Sequence, residues 1–122
     1  MNNYYRIDSR TVEDDATIFG ITLIPDYRAY TGHFPGNPVS PGVCSIQMIK
    51  ECAELLTDKR LFLGYIAQCR FTAIITPTKT PQLQIRMQIS ETEEVYKVRA
   101  TVFDETTNYI DFKGNCYPKT EN

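Results

Sequence analysis

The chemistry that this sequence can support is concentrated in residues 33–43, which read HFPGNPVSPGV. His33 is the only histidine among the 122 residues, and its imidazole can take up or release a proton near pH 7. The segment also holds three prolines and two glycines, which restrict the backbone path. Backbone N–H groups near Gly36 and Gly42 are not covered by side chains. The segment therefore combines a candidate acid–base group with backbone hydrogen-bond donors.

The donors at Gly42 and Val43 lie at the predicted start of a helix that extends from Val43 to Thr57. The first N–H groups of a helix have no partner within it and carry the positive end of its dipole. They can bind a developing negative oxygen, such as the enolate oxygen of a thioester. From the residues alone, two interpretations stay open: His33 belongs to a catalytic loop, or to an ordinary loop before a helix.

The helix that positions these groups has a broad apolar surface. At 100° per residue its apolar side chains cover an arc of roughly 200°, formed by Cys44, Ile46, Met48, Ile49, Cys52, Ala53, Leu55 and Leu56. The opposite, polar arc holds Gln47, Lys50, Glu51 and Glu54. Ser40 or the Pro41–Gly42 pair would start the helix. An apolar arc this wide predicts a helix enclosed by other structure.

The rest of the chain has the composition of β-strands. One strand is predicted before the proline-rich loop, at 16–24, and polar turns are predicted at 91–94 and 104–108. The strands predicted after the helix are 61–66, 68–75, 82–90, 96–102 and 109–116. Short turns between alternating strands indicate antiparallel hairpins. We expect a single α+β domain over 1–117, its sheet curled around the helix, and a flexible tail at 118–122.

Composition excludes several classes of protein. The net charge of −2 and the pI near 5.4 argue against a nucleic-acid-binding surface. The apolar runs are too short to cross a membrane, and the N-terminus has no apolar signal-peptide core. The four cysteines form no CxxC pair. Reduced, buried thiols in a cytoplasmic protein are favoured over disulfides, and neither a metal nor a cofactor is expected.

The segment 33–43 resembles the signature of the 3-hydroxyacyl-[acyl-carrier-protein] dehydratases, a family with the hot-dog fold. Nine positions match with the correct spacing: His33, Phe34, Pro35, Gly36, Pro38, Val39, Pro41, Gly42 and Val43. The resemblance continues more weakly through Arg70–Phe71 and the alternating strands that follow. It implies a curled antiparallel sheet wrapped around one long central helix. It also implies a dimer, or a trimer of dimers, that acts on acyl chains bound to acyl carrier protein in fatty-acid or polyketide-type biosynthesis.

The resemblance also implies the roles of individual residues. His33 would be the catalytic base, the N–H groups of Gly42 and Val43 would bind the oxyanion, and the loop would contact substrate through Phe34, Pro35, Gly36 and Pro41. In the family a carboxylate on the helix of the other subunit completes the catalytic pair. That position is Gln47 here, and glutamine cannot act as a general acid.

The glutamine leaves several functions open. The chain could be a dehydratase in which His33 serves as base and then as acid while Gln47 only orients the hydroxyl. Glu51 could reach the site, although its rise of about 6 Å along the helix argues against this. The chain could also be a non-catalytic acyl-binding or partner subunit of a dehydratase. A hot-dog thioesterase, with Glu51 or Glu54 activating water, is the third alternative.

Overall fold

The computed structural model describes residues 5–24, 42–75 and 81–119. Within these ranges the chain forms six strands and one helix. In order, they are β1 (Tyr5–Glu13), β2 (Ala16–Leu23), α1 (Gly42–Thr57), β3 (Leu61–Phe71), β4 (Gln82–Thr92), β5 (Val95–Phe103) and β6 (Asn108–Pro118).

The strands form one antiparallel sheet in the order β1-β2-β4-β5-β6-β3. Alternating side chains of the strands point to the face that carries α1, and the buried set includes Phe19, Ile85, Val102 and Ile110 at 0% exposure. On the helix, Met48, Ile49, Cys52 and Ala53 are buried against them. This is the α+β arrangement of one helix on a curled sheet that the sequence predicts.

The helix matches its predicted bounds closely, because it begins one residue earlier, at Gly42, and ends at Thr57. Asp58 follows with a φ of 56°, a left-handed conformation that commonly terminates a helix. Leu55 departs from the predicted apolar arc, since it is 48% exposed. Gln47, Lys50, Glu51 and Glu54 are all partly buried, so neighbouring structure covers part of the polar arc as well.

Two strand predictions need correction. β1 has no counterpart in the sequence analysis, although its nine residues pair along β2. β3 is one strand of 11 residues rather than the two predicted at 61–66 and 68–75. Its pairing with β6 shifts register between Leu63 and Tyr65 and again between Ile66 and Gln68. Such bulges interrupt the alternation of apolar and polar residues, and that interruption divided the strand in the sequence pattern.

The turns and the C-terminal strand follow from local geometry. Glu93 and Glu94 alone connect β4 to β5, with φ values of 45° and 67°, as two-residue hairpin turns of this kind require. β6 extends to Pro118, which pairs with Leu61, and the N–H of Lys119 donates to the carbonyl of Arg60 at 2.8 Å. The strand thus includes Pro118, the first residue of the tail predicted at 118–122.

Candidate active site

The structure describes only part of the predicted site. His33, Phe34, Pro35, Gly36 and Pro41 lie outside the described residues, so their roles stay predictions. The backbone of Gly42 and Val43 forms the first two residues of α1. The helix therefore begins within the motif, as the oxyanion prediction requires. N–H groups at this position have no acceptor within the helix.

Gln47 lies on α1 after the helix start, and its side chain is partly buried. Its amide nitrogen Nε2 donates a hydrogen bond to Oε2 of Glu51 at 3.1 Å. The two residues are four apart, a separation that places side chains next to each other on a helix surface. The side chain of Gln47 is therefore held in place by the following turn of its own helix.

Glu51 also accepts a hydrogen bond from outside the helix. The hydroxyl of Tyr5, at the start of β1, donates to Oε1 of Glu51 at 2.6 Å. Burial, followed by this hydrogen bond, raises the pKa of Tyr5 well above its ordinary value, so the phenol stays a neutral donor. Both carboxylate oxygens of Glu51 thus have donors, Tyr5 on one and Gln47 on the other.

Tyr5 is the member of this group that sequence reasoning missed. It contacts Glu51 across 46 residues of chain, and no local pattern identifies a pair so far apart. The available signal was the run Tyr5, Arg6, Ile7, Asp8, which alternates in the manner of a strand. That pattern could have predicted β1, although not the partner of its first tyrosine.

Glu54, the other helix carboxylate considered for water activation, has a structural role. Its Oε2 accepts a hydrogen bond from the N–H of Leu61 at 2.8 Å, at the start of β3. Its Oε1 lies 3.6 Å from Nζ of Lys50. These contacts join the end of α1 to the strand that follows. Because Glu51 and Glu54 both have partners, neither is placed as a free base for the hydrolysis of a thioester.

The described cysteines do not have the properties of nucleophiles. Cys52, Cys69 and Cys116 are free thiols. Burial raises the pKa of Cys52 to about 12 and that of Cys116 to about 11, and it raises the pKa of Cys69 less strongly. A thiol with such a pKa is protonated near neutral pH and is a poor nucleophile. In the described ranges, no cluster of three or more potential metal ligands is found.

None of the helices in the described part of the chain is both long and apolar enough to cross a membrane.

Two surface cavities, of about 550 and 570 Å³, are bordered by strand and turn residues rather than by α1. A depression of about 460 Å³ borders the helix where Tyr5 meets Glu51, and Glu54 and Leu55 line it too.

Comparison with solved structures identifies the fold. The chain resembles a protein of the dehydratase heterocomplex ApeI:P from Xenorhabdus doucetiae, with a TM-score of 0.73 and 18% identity, over 92% of this chain and 96% of the other. It also resembles a putative thioesterase, yhdA, from Lactococcus lactis, with a TM-score of 0.65 and 9% identity, over 98% and 95% of the two chains. At these identities the likeness shows the fold alone, and it confirms the predicted hot-dog fold.

The chain is also similar in sequence to proteins named as dehydratases. The 3-hydroxyacyl-[acyl-carrier-protein] dehydratase FabZ of Legionella pneumophila is 33% identical over 91 residues, which cover 66% of this chain and 59% of the relative. The FabZ protein of Lactiplantibacillus plantarum is 35% identical over 65 residues, which cover 48% and 44%. The chain thus spans less than two thirds of the length of either curated relative. These relatives confirm the resemblance to the dehydratases.

A family model described as ApeI-like, ApeI dehydratase, matches residues 9–109. This range includes the histidine segment, all of α1 and five of the six described strands over most or all of their length. The match therefore covers the elements that would build the site as well as those that form the core. On this evidence the chain belongs to the ApeI-like family of dehydratases.

Proposed function

We propose that this chain is a dehydratase that converts 3-hydroxyacyl thioesters on acyl carrier protein into trans-2-enoyl thioesters. The observation that carries the proposal is the position of the helix start. α1 begins at Gly42, inside the nine-position motif, and Gln47 follows on the same helix. Family membership supports the same reaction, and so does the similarity to the FabZ dehydratases.

In the proposed reaction His33 removes the proton next to the thioester carbonyl. The electrons of that C–H bond form an enolate, and the N–H groups of Gly42 and Val43 bind its oxygen. When the carbonyl re-forms, the electrons move into a new C=C bond and the C–O bond to the 3-hydroxyl breaks. The proton held by His33 then passes to the departing oxygen, which leaves as water. Gln47 orients that hydroxyl.

This scheme needs one titrating residue where the related dehydratases have two. A general acid or base typically contributes 10²- to 10⁴-fold to a rate, or roughly 3–5 kcal/mol of barrier. Because Gln47 carries no ionisable proton, we expect turnover to be slower by about that factor than with a carboxyl at this position. The reaction still balances, since His33 returns the proton that it takes.

We propose further that two copies of the chain assemble through β3. β3 lies at one end of the sheet order and pairs with β6 on one side only within the described residues. Its exposed apolar side chains are unusual for an edge strand, because such edges promote association; they are Phe62, Tyr65, Ile66 and Phe71. In this dimer, His33 of one copy would face Gln47 of the other.

Turnover of a 3-hydroxyacyl thioester on acyl carrier protein tests the reaction. We expect formation of the 2-enoyl product and a loss of at least 10² in rate for His33→Ala. The Tyr109→Phe variant is a suitable control, because it removes a hydroxyl that donates to Asp104 on the turn between β5 and β6. Unchanged turnover in His33→Ala would exclude the mechanism, and release of free thiol without an enoyl product would indicate a thioesterase.

A second candidate is a partner subunit that binds acyl chains while a related chain performs the chemistry. Gln47 favours it, and the ApeI:P structure from Xenorhabdus doucetiae is described as a heterocomplex. This candidate predicts no turnover by the purified chain. It also predicts turnover on addition of a related chain that has a carboxyl at the corresponding helix position.

A further inference from the structure

The hydrogen bonds around Glu51 fix the direction in which the Gln47 amide points. A carboxylate only accepts hydrogen bonds, so the group of Gln47 that faces Glu51 must be its NH₂, and Nε2 lies 3.1 Å from Oε2 of Glu51. The oxygen of an amide points away from the direction of the N–H that is engaged. Oε1 of Gln47 is therefore turned away from Glu51, and no described residue donates to it.

Tyr5, the third residue of this hydrogen-bonded group, lies on β1 and not on the helix. An ordinary surface pair four residues apart on a helix stabilises it only weakly and is easily broken. Here Tyr5 reaches Glu51 from β1 with a short bond of 2.6 Å. The backbone of Tyr5 is fixed by its pairing with Leu23, which is 2% exposed. The carboxylate is thus anchored to the sheet as well as to the helix.

A glutamine that is already held in one orientation binds a ligand at a smaller entropic cost than a mobile glutamine does. A free glutamine side chain loses conformational entropy when it is immobilised. The hydrogen bond to Glu51 immobilises the glutamine before substrate arrives, so less of that loss opposes binding. The group of Gln47 that has no described donor is an acceptor, its Oε1, and it suits a ligand that offers a hydroxyl rather than one that offers only a carbonyl oxygen.

From this geometry we propose that Glu51, anchored by Tyr5, is a positioning residue that presents Oε1 of Gln47 to the 3-hydroxyl of the acyl thioester. The inference rests on the proposed function, since it names the group that Gln47 recognises. It gives Glu51 a role different from that of an acid or base, and it makes the chain selective for 3-hydroxyacyl over unsubstituted acyl groups.

The test measures binding rather than turnover. In a His33→Ala background, the affinities for 3-hydroxydecanoyl pantetheine and for decanoyl pantetheine are compared by calorimetry. We expect the hydroxylated thioester to bind about fivefold more tightly, the value of one neutral hydrogen bond. Glu51→Leu should abolish this preference, and Tyr5→Phe should reduce it. Glu51→Gln should retain much of it, because its amide oxygen can still accept from Gln47.

Tyr109→Phe is the matched control, because Tyr109 also donates to a carboxylate at 2.6 Å, that of Asp104, on a distant turn. It should leave the preference unchanged. NMR of the Gln47 side-chain amide gives a second readout, and its proton signals should shift in Glu51→Leu and Tyr5→Phe but not in the control. If Glu51→Leu fails to fold, Tyr5→Phe carries the test, since it removes only one hydroxyl.

The outcomes separate this inference from the proposed function. A hydroxyl preference that persists in the Glu51 and Tyr5 variants, or that is absent before either is changed, overturns the positioning role even if the wild-type chain is an active dehydratase. Conversely, if the wild-type chain shows no turnover but the preference responds as expected, the positioning role holds and the catalytic proposal fails.

Discussion

Gln47 and Glu51 form a hydrogen-bonded pair on the polar face of α1, with Nε2 of Gln47 3.1 Å from Oε2 of Glu51. Position 47 is the one to which the family resemblance assigns a catalytic carboxylate. The pair explains how a glutamine is accommodated here. A carboxylate at position 47 would lie next to the carboxylate of Glu51, and two like charges at this distance repel. The neutral amide removes that repulsion and supplies a donor instead.

Gln47→Glu should therefore restore a general acid with an unusual titration. Because Glu51 lies beside it, the introduced carboxyl should have a raised pKa and stay partly protonated near neutral pH. We expect turnover of the 3-hydroxyacyl thioester to rise by about 10², with a pH–rate profile that falls on the alkaline side. Gln47→Met, which has a similar volume and no carboxyl, should show no gain. An unchanged rate in Gln47→Glu would mean that the native mechanism does not need the carboxyl.

The β3 edge predicts a change in oligomeric state. Ile66→Lys places a charge among exposed apolar side chains of the proposed interface, where its burial on association is costly. We expect the dissociation constant of the dimer to rise at least tenfold, measured by light scattering after gel filtration. Val12→Lys is the matched control, because Val12 is 75% exposed on β1, the strand at the other edge. Dissociation by Val12→Lys instead would assign the interface to β1.

Asp104 predicts a loss of stability in acid. The hydrogen bond from Tyr109, with those from the turn residues Thr106 and Thr107, lowers the pKa of this carboxyl below its ordinary value of 3.8. A lowered folded-state pKa stabilises the protein above the unfolded-state pKa, and this contribution is lost as the pH falls through the folded-state value. The melting temperature should therefore drop as the pH falls below about 4 and on through the folded-state pKa, and less steeply in Asp104→Asn. Parallel curves for the two proteins would contradict this.

The buried thiols predict a pattern of chemical modification. Because burial raises the pKa of Cys52 to about 12 and that of Cys116 to about 11, both should resist iodoacetamide near pH 7.5 in the folded protein. Cys69 is less buried and should react sooner. Mass spectrometry of peptides locates each modified residue, and unfolding in guanidinium should make all three react. Rapid labelling of Cys52 in the folded state would show that α1 detaches from the sheet.

The sequence alone predicted the features that depend on neighbouring residues. The helix was placed within one residue at its start because its apolar residues repeat with the period of a helix, and the residues after Thr57 are polar. β4 and β5 were placed because Leu83, Ile85 and Met87, and then Tyr96 and Val98, alternate with polar residues. The family resemblance came from a motif that is contiguous in the chain.

What the tertiary structure decided depends on contacts between distant segments. β1 forms an edge by pairing with β2, and β3 is one strand because β6 accommodates its bulges. Neither fact is encoded in a local period, since pairing is a property of two strands. The bond between Tyr5 and Glu51 spans 46 residues. The resemblance predicts that Gln47 departs from the carboxylate of the family. Only the folded chain gave that glutamine a fixed orientation, because the packing of the sheet against α1 brings Tyr5 to Glu51, whose carboxylate accepts the hydrogen bond from Gln47.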